Sequence, residues 1–442
     1  MGFVDLSKYR DIIREREFIR VGGKITKVVG LTVQAEGISG FIGELCHILP
    51  RGNKWGPSPK VQAKIVGFED EKFLLMPLGE IEGVYPASLV YTSGKPFEVK
   101  TGDEVRGRVI NAIGEPIDGK GPISTLERAV VNTQTVSPLQ RQRIREPFQT
   151  GVRAIDSLLT CGKGQRVGIF AGSGVGKSTL LGMIAKDSEA DVNVIGLIGE
   201  RGREVRAFLE DNLEEGLEKS VVVVATSDEP PLLRAQGAFT ASMIAEYFRE
   251  KGCKVLLLID SLTRLAMAQR EIGLAIGEPP TTKGYTPSVF SVLPKLIEKS
   301  GTSSHQGSIT GFYTVLVEGD DMFDPIADAT RAILDGHIVL SRELASKGHY
   351  PPIDILQSVS RLMSEITEPE HQRAALKIRE ILAVYEEAKD LINIGAYVQG
   401  SNPKIDYAIK WFDTINSFLK QGVNESVTLK DSISSLINLL GD

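Results

Sequence analysis

The chain has 442 residues, 42% hydrophobic and 24% charged, which is enough apolar material for two or three globular domains. Its net charge of −6 argues against a protein that binds nucleic acid through bulk electrostatics. The N-terminus lacks the apolar core of a signal peptide, and no apolar run is long enough for a transmembrane helix. We therefore expect a cytoplasmic protein in which Cys46, Cys161 and Cys253 are inert thiols.

Residues 1–18 form the first predicted segment, an amphipathic helix. Its apolar residues recur at roughly helical spacing among charged ones: Phe3, Leu6, Tyr9, Ile12 and Ile13. Two interpretations stay open. The helix either packs on its own domain or docks a regulatory partner.

Residues 19–92 are expected to form a small β-barrel, since short alternating segments are broken here by glycine. The predicted strands are Lys24–Glu36, Gly40–Ile48, Val61–Phe68 and Phe73–Met76. A barrel of this size could bind RNA, but eight Lys/Arg stand against seven Asp/Glu between Arg20 and Val90. A structural or ring-forming barrel is favoured over a nucleic-acid-binding one.

Residues 93–357 alternate strands with helices, which predicts an α/β domain on a parallel sheet. Near-continuous apolar runs indicate strands that are buried on both faces: Arg166–Phe170, Val192–Ile198, Val221–Thr226, Val255–Ile259 and Ile309–Val317. Residues 358–442 lose this β character. A long helix from Thr367, followed by two or three more, predicts a helical C-terminal domain.

The segment after Arg166–Phe170 has the strand–loop–helix context of a P-loop, with Lys177 and Ser178 at its end. Its glycines let successive backbone N–H groups point at phosphate oxygens, and the following helix directs its positive dipole end there. Lys177 would contact the β and γ phosphates, and Ser178 would ligate Mg²⁺. The candidate ATP-binding residues of this loop are Ala171, Gly172, Ser173, Gly174, Val175, Gly176, Lys177, Ser178 and Thr179. Ala171 replaces the first glycine of the motif, which requires a negative φ there.

Two carboxylates follow later core strands. Asp260 ends the hydrophobic strand Val255–Ile259, where it can orient Mg²⁺ and its waters. Glu200 follows Val192–Ile198 and could act as the general base for an attacking water. The less favoured alternatives are a helix-terminal glutamate or an ion-pair partner of Arg201. Arg201 is itself a candidate catalytic residue. Spacing alone does not distinguish Arg361 from the other arginines.

With these motifs the chain resembles the ATPases of bacterial flagellar type III protein export, relatives of the rotary ATP synthase catalytic subunit. The resemblance spans about residues 20–442, and Ala171 is usual in that family. Its most specific stretches are the P-loop with the residues before it (158–178), Asp260–Gly273, Gly277–Phe290 and Gly311–Leu344.

The resemblance implies roles for individual residues. Glu200 matches the catalytic glutamate, Arg361 matches an arginine finger that reaches a neighbouring subunit's nucleotide, and Tyr350 matches the aromatic residue that stacks on adenine. It also implies a homohexameric ring, in which a monomer has an incomplete site. The implied partners are a regulator and a stalk protein of the export apparatus, export substrates and their chaperones. Membrane association would be peripheral, through the export gate.

Four alternatives stay open from sequence. One is the catalytic subunit of a rotary ATP synthase, although Gly277–Phe290 is more similar to the export enzymes. Another is a nucleotide-binding ring subunit without turnover, against which the presence of Glu200 argues. An RNA translocase would need a basic N-terminal domain, and the near-neutral barrel argues against that. A virulence-type secretion ATPase is the most similar alternative, and only Thr281–Lys283 favours the flagellar type.

Overall fold

The structure is a computed structural model and describes residues 22–50, 60–131, 136–304, 306–317, 319 and 323–440. The predicted helix at residues 1–18 lies outside them. The chain as described divides into two compact units. The first runs to Phe97 and includes Leu274–Glu278, and the second contains Glu98–Gly273 and the chain from Pro279 onward. The domain boundaries placed at residues 18, 92 and 357 stay predictions.

The first unit contains the predicted barrel. Among its described residues, six antiparallel strands close in the order β1-β2-β5-β4-β3-β6. They are β1 (Gly22–Val29), β2 (Thr32–Glu36), β3 (Glu44–Leu49), β4 (Val61–Glu69), β5 (Lys72–Pro77) and β6 (Leu89–Pro96). Alternate side chains point inward, as in β3 and β4, because successive Cβ atoms of a strand face opposite sides. Ile25, Ile48, Ile65 and Leu75 fill the interior.

The second unit is organised by a mostly parallel sheet. Over the residues described, it has nine strands: the path β19-β18-β12-β17-β15-β13-β14-β8, with β16 beside β17. The remaining strands of the chain are β7 (Glu98–Lys100), β8 (Arg108–Asn111), β9 (Arg128–Val130), β10 (Pro147–Phe148), β11 (Cys161–Gly162), β12 (Arg166–Ala171), β13 (Val192–Glu200), β14 (Ser220–Thr226), β15 (Lys254–Asp260), β16 (Gly301–Thr302), β17 (Ser308–Leu316), β18 (Gly336–Leu340) and β19 (Ile353–Ser360). Only β16 and β19 run antiparallel to their neighbours in this sheet. The predicted α/β P-loop core is confirmed.

Helices cover the sheet and make up the C-terminal part of the chain. They are α1 (Arg153–Leu158), α2 (Lys177–Asp187), α3 (Gly202–Ala207), α4 (Pro231–Glu250), α5 (Leu262–Ala275), α6 (Pro287–Ile297), α7 (Pro325–Ile333), α8 (Arg342–Ser346), α9 (Met363–Ile366), α10 (Pro369–Asn393), α11 (Pro403–Leu419) and α12 (Leu429–Asn438). The predicted helical end is confirmed, and α10 begins at Pro369, two residues after the predicted start, since proline suits the first helical turn. No helix within the described residues is long and apolar enough to cross a membrane.

A buried ion pair joins α4 to the segment after α6. The Lys299 side chain is 0% exposed, and its Nζ lies 2.7 Å from Glu246 Oε2. Two charges removed from water in this way depend on each other, because the loss of the carboxylate removes a close counter-charge from an ammonium in a low-dielectric interior.

We expect Glu246→Ala to lower the free energy of unfolding by about 3–5 kcal/mol, since it removes the carboxylate that faces the Lys299 ammonium. The control is Glu380→Ala on α10, because this carboxylate and its ion-pair partner Lys377 are 54% and 47% exposed, so the pair should contribute no more than about 1 kcal/mol. The measurement is the denaturant midpoint of unfolding for the two variants and the wild type, and only Glu246→Ala should lower it clearly. Equal midpoints would contradict a structural role for the buried pair.

Candidate active site

The P-loop connects the end of β12 to the start of α2. Ala171 is the buried last residue of β12, so it keeps the extended conformation that its Cβ requires. Gly174 and Gly176 have φ of 77° and 93°, values that glycine adopts readily and other residues rarely do. The loop therefore curls as phosphate binding needs, and Gly176 places Lys177 in the first turn of α2.

A cavity of about 620 Å³ opens over this loop. The predicted binding residues that line it are Gly172, Ser173, Gly174, Gly176, Lys177, Ser178 and Thr179. Val175 packs into the hydrophobic core instead. Besides Lys177, the charged residues of the lining are Glu200, Arg201, Glu204, Arg264 and Arg342. The cavity thus contains carboxylates and cations beside a phosphate-binding loop.

Lys177 is the electrostatic centre of the site. Its Nζ lies 2.5 Å from Asp260 Oδ1 and 3.4 Å from Glu200 Oε1. Burial lowers the pKa of Lys177, but the two carboxylates outweigh burial and the net pKa is raised. Thr314 Oγ1, on the intervening strand β17, donates to Asp260 Oδ1 at 2.7 Å. The structure therefore brings together Lys177, Asp260 and Glu200 at the carboxyl ends of neighbouring strands, where α/β sheets place ligands.

Glu200 has the perturbed acidity of a proton acceptor. Its pKa is raised to about 7, chiefly by burial; Lys177 opposes this rise, and the carboxylates of Asp260 and Glu204 contribute to it. A carboxylate that titrates near neutral pH can take a proton from water in a reaction and release it afterwards. Arg201, by contrast, is largely exposed and lies 3.7 Å from Glu204 Oε1.

Arg264 is a site residue that sequence reasoning missed. It follows Asp260 by four positions, lies in the first turn of α5, and lines the cavity. Its buried Nε has no hydrogen-bond partner within the described residues. A Cβ on Gly199 would lie 2.7 Å from the Arg264 Cβ, so a glycine is needed beside Glu200. The signal available in the sequence was the position of Arg264, four residues after the carboxylate that ends β15.

Tyr350 lies beside the P-loop and is 49% exposed. A Cβ on Gly176 would be 3.6 Å from Tyr350 Cε1. The Tyr350 carbonyl accepts from the backbone N–H of Gln421 at 3.0 Å. The buried Gln421 side chain also donates to the Gly151 carbonyl at 2.8 Å and accepts from the Arg153 N–H at 2.7 Å. Sequence reasoning missed Gln421, which gave no local signal because its partners are remote in the chain.

Arg361 is not brought to this cavity. Its backbone N–H donates to the Asp335 carbonyl at 3.1 Å, and the Asp335 N–H donates to the carbonyl of Arg166. Arg166 begins β12, whereas the P-loop leaves the other end at Ala171. A strand of this length spans about 17 Å at ~3.3 Å per residue. Arg361 is exposed at the opposite edge of the sheet from its own P-loop.

A magnesium site would combine protein and phosphate ligands here. Within the described residues, no group of three or more His, Cys, Asp or Glu side chains could hold a metal ion. Mg²⁺ usually takes one or two protein oxygens and completes its shell with water and substrate phosphates. The Ser178 hydroxyl and the Asp260 carboxylate have the oxygen chemistry that such a site needs.

Comparison with known proteins agrees with this geometry. Residues 151–360 match the model of the ATP synthase alpha/beta family, nucleotide-binding domain, and residues 367–438 match the T3SS EscN ATPase C-terminal domain. The chain is 53% identical to the flagellum-specific ATP synthase of Bacillus subtilis (strain 168), over 98% of each chain.

Solved structures extend the likeness to the fold. The assembled ATPase EscN from the enteropathogenic E. coli type III secretion system matches with a TM-score of 0.88 at 44% identity, covering 95% of this chain and 100% of EscN. EscN in complex with its central stalk EscO matches with a TM-score of 0.86 at 43% identity, over the same shares of the two chains.

The glycine beside Glu200 provides a test of the site's geometry. Gly199 has φ of 71°. Gly199→Ala would force an alanine into this left-handed conformation and bring its Cβ too close to the Arg264 side chain. We expect a loss of about 1–3 kcal/mol in stability, seen as a lower midpoint of thermal unfolding. Gly202→Ala is the control, because nothing lies within 4 Å of its Cβ position. If both variants melt together with the wild type, the close packing of Gly199 on Arg264 is wrong.

Proposed function

Since the chain belongs to the family of flagellum-specific ATP synthases and type III secretion ATPases, we propose that it hydrolyses ATP to ADP and phosphate and thereby energises flagellar protein export. The observation that carries this proposal is the contact of Lys177 with both Asp260 and Glu200 beside the P-loop. Greater identity to the B. subtilis flagellum-specific enzyme than to EscN supports flagellar over virulence export. The match of the C-terminal region to EscN supports an export ATPase over a synthase subunit.

Nucleotide binding follows from the loop and its helix. The backbone N–H groups of the P-loop and the N-terminus of α2 attract the β and γ phosphates. The phosphates would compete with Asp260 and Glu200 for the Lys177 ammonium. Ser178 and Asp260 would hold Mg²⁺, whose charge, when bound with ATP, neutralises phosphate oxygens. Tyr350, exposed beside Gly176, provides a flat surface on which adenine can stack.

Hydrolysis then needs a water activated opposite the leaving group. Glu200 would accept a proton as that water attacks the γ-phosphorus and the bond to the ADP oxygen breaks. Arg264, directed into the cavity, and Arg201 at its margin would add positive charge near the transferring phosphoryl group. Electrostatic catalysis depends on charged groups that are already in place before the reaction begins, and the largely buried Lys177 and Glu200 meet that condition.

The last catalytic group would come from another subunit. Arg361 lies at the opposite edge of the sheet from its own P-loop, so it would act as an arginine finger in trans. EscN assembles and binds a central stalk, which supports a homohexameric ring with a stalk partner for this chain. A regulator, export substrates and their chaperones complete the proposed partners, at the cytoplasmic side of the export gate. The near-neutral barrel supports no specific nucleic-acid ligand.

The acidity of Glu200 predicts the pH dependence. Because the base must be ionised, kcat/KM should rise with pH through about 7, the raised pKa of Glu200. Glu204→Gln removes a carboxylate that raises this pKa, so the rise should move to lower pH. Glu200→Gln should abolish turnover while ATP still binds. Glu210→Gln, an exposed change further along the chain, is the control, and an unchanged profile in Glu204→Gln would refute the assignment of the base.

The trans role of Arg361 predicts that activity depends on assembly. Wild-type ATPase activity should rise more steeply than linearly with protein concentration, and Arg361→Ala should lower kcat by about 10³-fold or more. Arg373→Ala, an exposed change on α10, should do neither. Mixing Arg361→Ala with Lys177→Ala should restore activity, because the first variant supplies an intact P-loop and the second supplies an intact arginine finger. A linear dependence in the wild type, unaffected by Arg361→Ala, contradicts the proposal.

A further inference from the structure

Gln165 immediately precedes β12 and is wholly buried, yet it contributes nothing to the nucleotide cavity. Its Oε1 accepts from the backbone N–H of Gly162 at 2.7 Å. Its Nε2 donates to the Asp335 carbonyl at 3.0 Å and to Ser360 Oγ at 3.2 Å. Each hydrogen of the amide therefore has its own acceptor, which defines the orientation of the side chain.

Both acceptors lead directly to Arg361. Ser360 is the residue before it, and the Asp335 carbonyl that accepts from Gln165 also accepts from the Arg361 N–H at 3.1 Å. The Ser360 hydroxyl in turn donates to the Thr160 carbonyl at 2.7 Å. The backbone from which the arginine projects is thus fixed through side-chain and main-chain bonds.

Neighbouring groups restrict this backbone further. Arg166 holds both Asp335 carboxylate oxygens, with Nε to Oδ2 at 2.9 Å and a second nitrogen to Oδ1 at 3.0 Å. Gly336 lets the adjoining strand approach closely, because a Cβ there would lie 2.6 Å from the Val359 carbonyl oxygen and 3.4 Å from Gln165 Nε2. The exposed Arg361 therefore projects from a partly buried polar network whose centre, Gln165, is wholly buried.

We propose that Gln165 is a positioning residue for Arg361, and through it for the nucleotide site of the neighbouring subunit. This inference rests on the proposed function of Arg361 in trans. Gln165 stands at the end of β12 remote from the P-loop, so its loss leaves its own subunit's nucleotide site intact. A displacement of about 1 Å in a catalytic group costs up to roughly 10²-fold in rate.

The test uses Gln165→Met in the full-length chain, which keeps side-chain length and removes the amide. We expect kcat to fall about 10- to 100-fold, with KM and ATP binding unchanged. Gln142→Met, at an exposed glutamine whose Nε2 lies 3.4 Å from the Ser304 carbonyl, should behave as wild type. If Gln165→Met does not fold, Ser360→Ala removes one hydroxyl of the same network and carries the same expectation. An unchanged kcat, or a raised KM with weakened ATP binding, would overturn the inference.

Mixing experiments separate positioning from general damage. Gln165→Met mixed with Lys177→Ala should gain activity, since about a quarter of the interfaces in a random equal mixture join an intact P-loop to an intact finger. Gln165→Met mixed with Arg361→Ala should gain none. If Arg361→Ala with Lys177→Ala gains activity and Gln165→Met with Lys177→Ala does not, the role of Gln165 is refuted and the trans finger stands. If neither pair gains, the trans finger fails and the inference fails with it.

Discussion

A single ammonium group contacts two largely buried carboxylates at the P-loop edge of the sheet. Lys177 Nζ contacts carboxylates at the ends of β15 and β13, and those strands are joined to the P-loop strand only through β17. Without that charge, the two largely buried carboxylates would lose the cation that both of them contact, which disfavours the ionised form of Glu200. The pKa of Glu200 is already raised to about 7, chiefly by burial, although Lys177 lowers it. A polyphosphate that binds the Lys177 ammonium would weaken its contacts with Asp260 and Glu200 and so change the charge balance among these three groups.

Strand β12 connects the P-loop edge of the sheet to the opposite edge, where Arg361 lies. The P-loop leaves its carboxyl end, while Arg166 and Gln165 at its other end hold the turn from which Arg361 projects. A strand in the middle of a packed sheet resists deformation, because its neighbours on both sides share its hydrogen bonds. One rigid element therefore fixes the distance between the phosphate-binding loop of a subunit and the arginine that we propose for its neighbour.

The sequence predicted what depends on local pattern. The P-loop has a fixed spacing, and Asp260 and Glu200 end apolar runs that only buried strands explain, so the order of elements already placed them at one edge. Arg361 was identified only through the family resemblance. Its position depends on β19 running antiparallel to β18, and no short sequence motif predicts that pairing. Gln421 and Gln165 were missed because their importance lies in contacts with residues distant in the sequence. Arg264 had a local signal, its spacing of four residues from Asp260, but its packing against Gly199 depends on the fold.

Under the proposed trans role of Arg361, the positions of the P-loop and of Arg361 also restrict how copies of the chain could cooperate. A two-fold dimer would have to bring the P-loop edge and the Arg361 edge of one subunit into the same interface, although they lie at opposite ends of β12. A head-to-tail contact uses one edge for each neighbour and has no such conflict. In an open head-to-tail chain the terminal subunit still lacks a finger, whereas in a closed ring every nucleotide site receives one. If Arg361 acts in trans, closure itself completes the last active site.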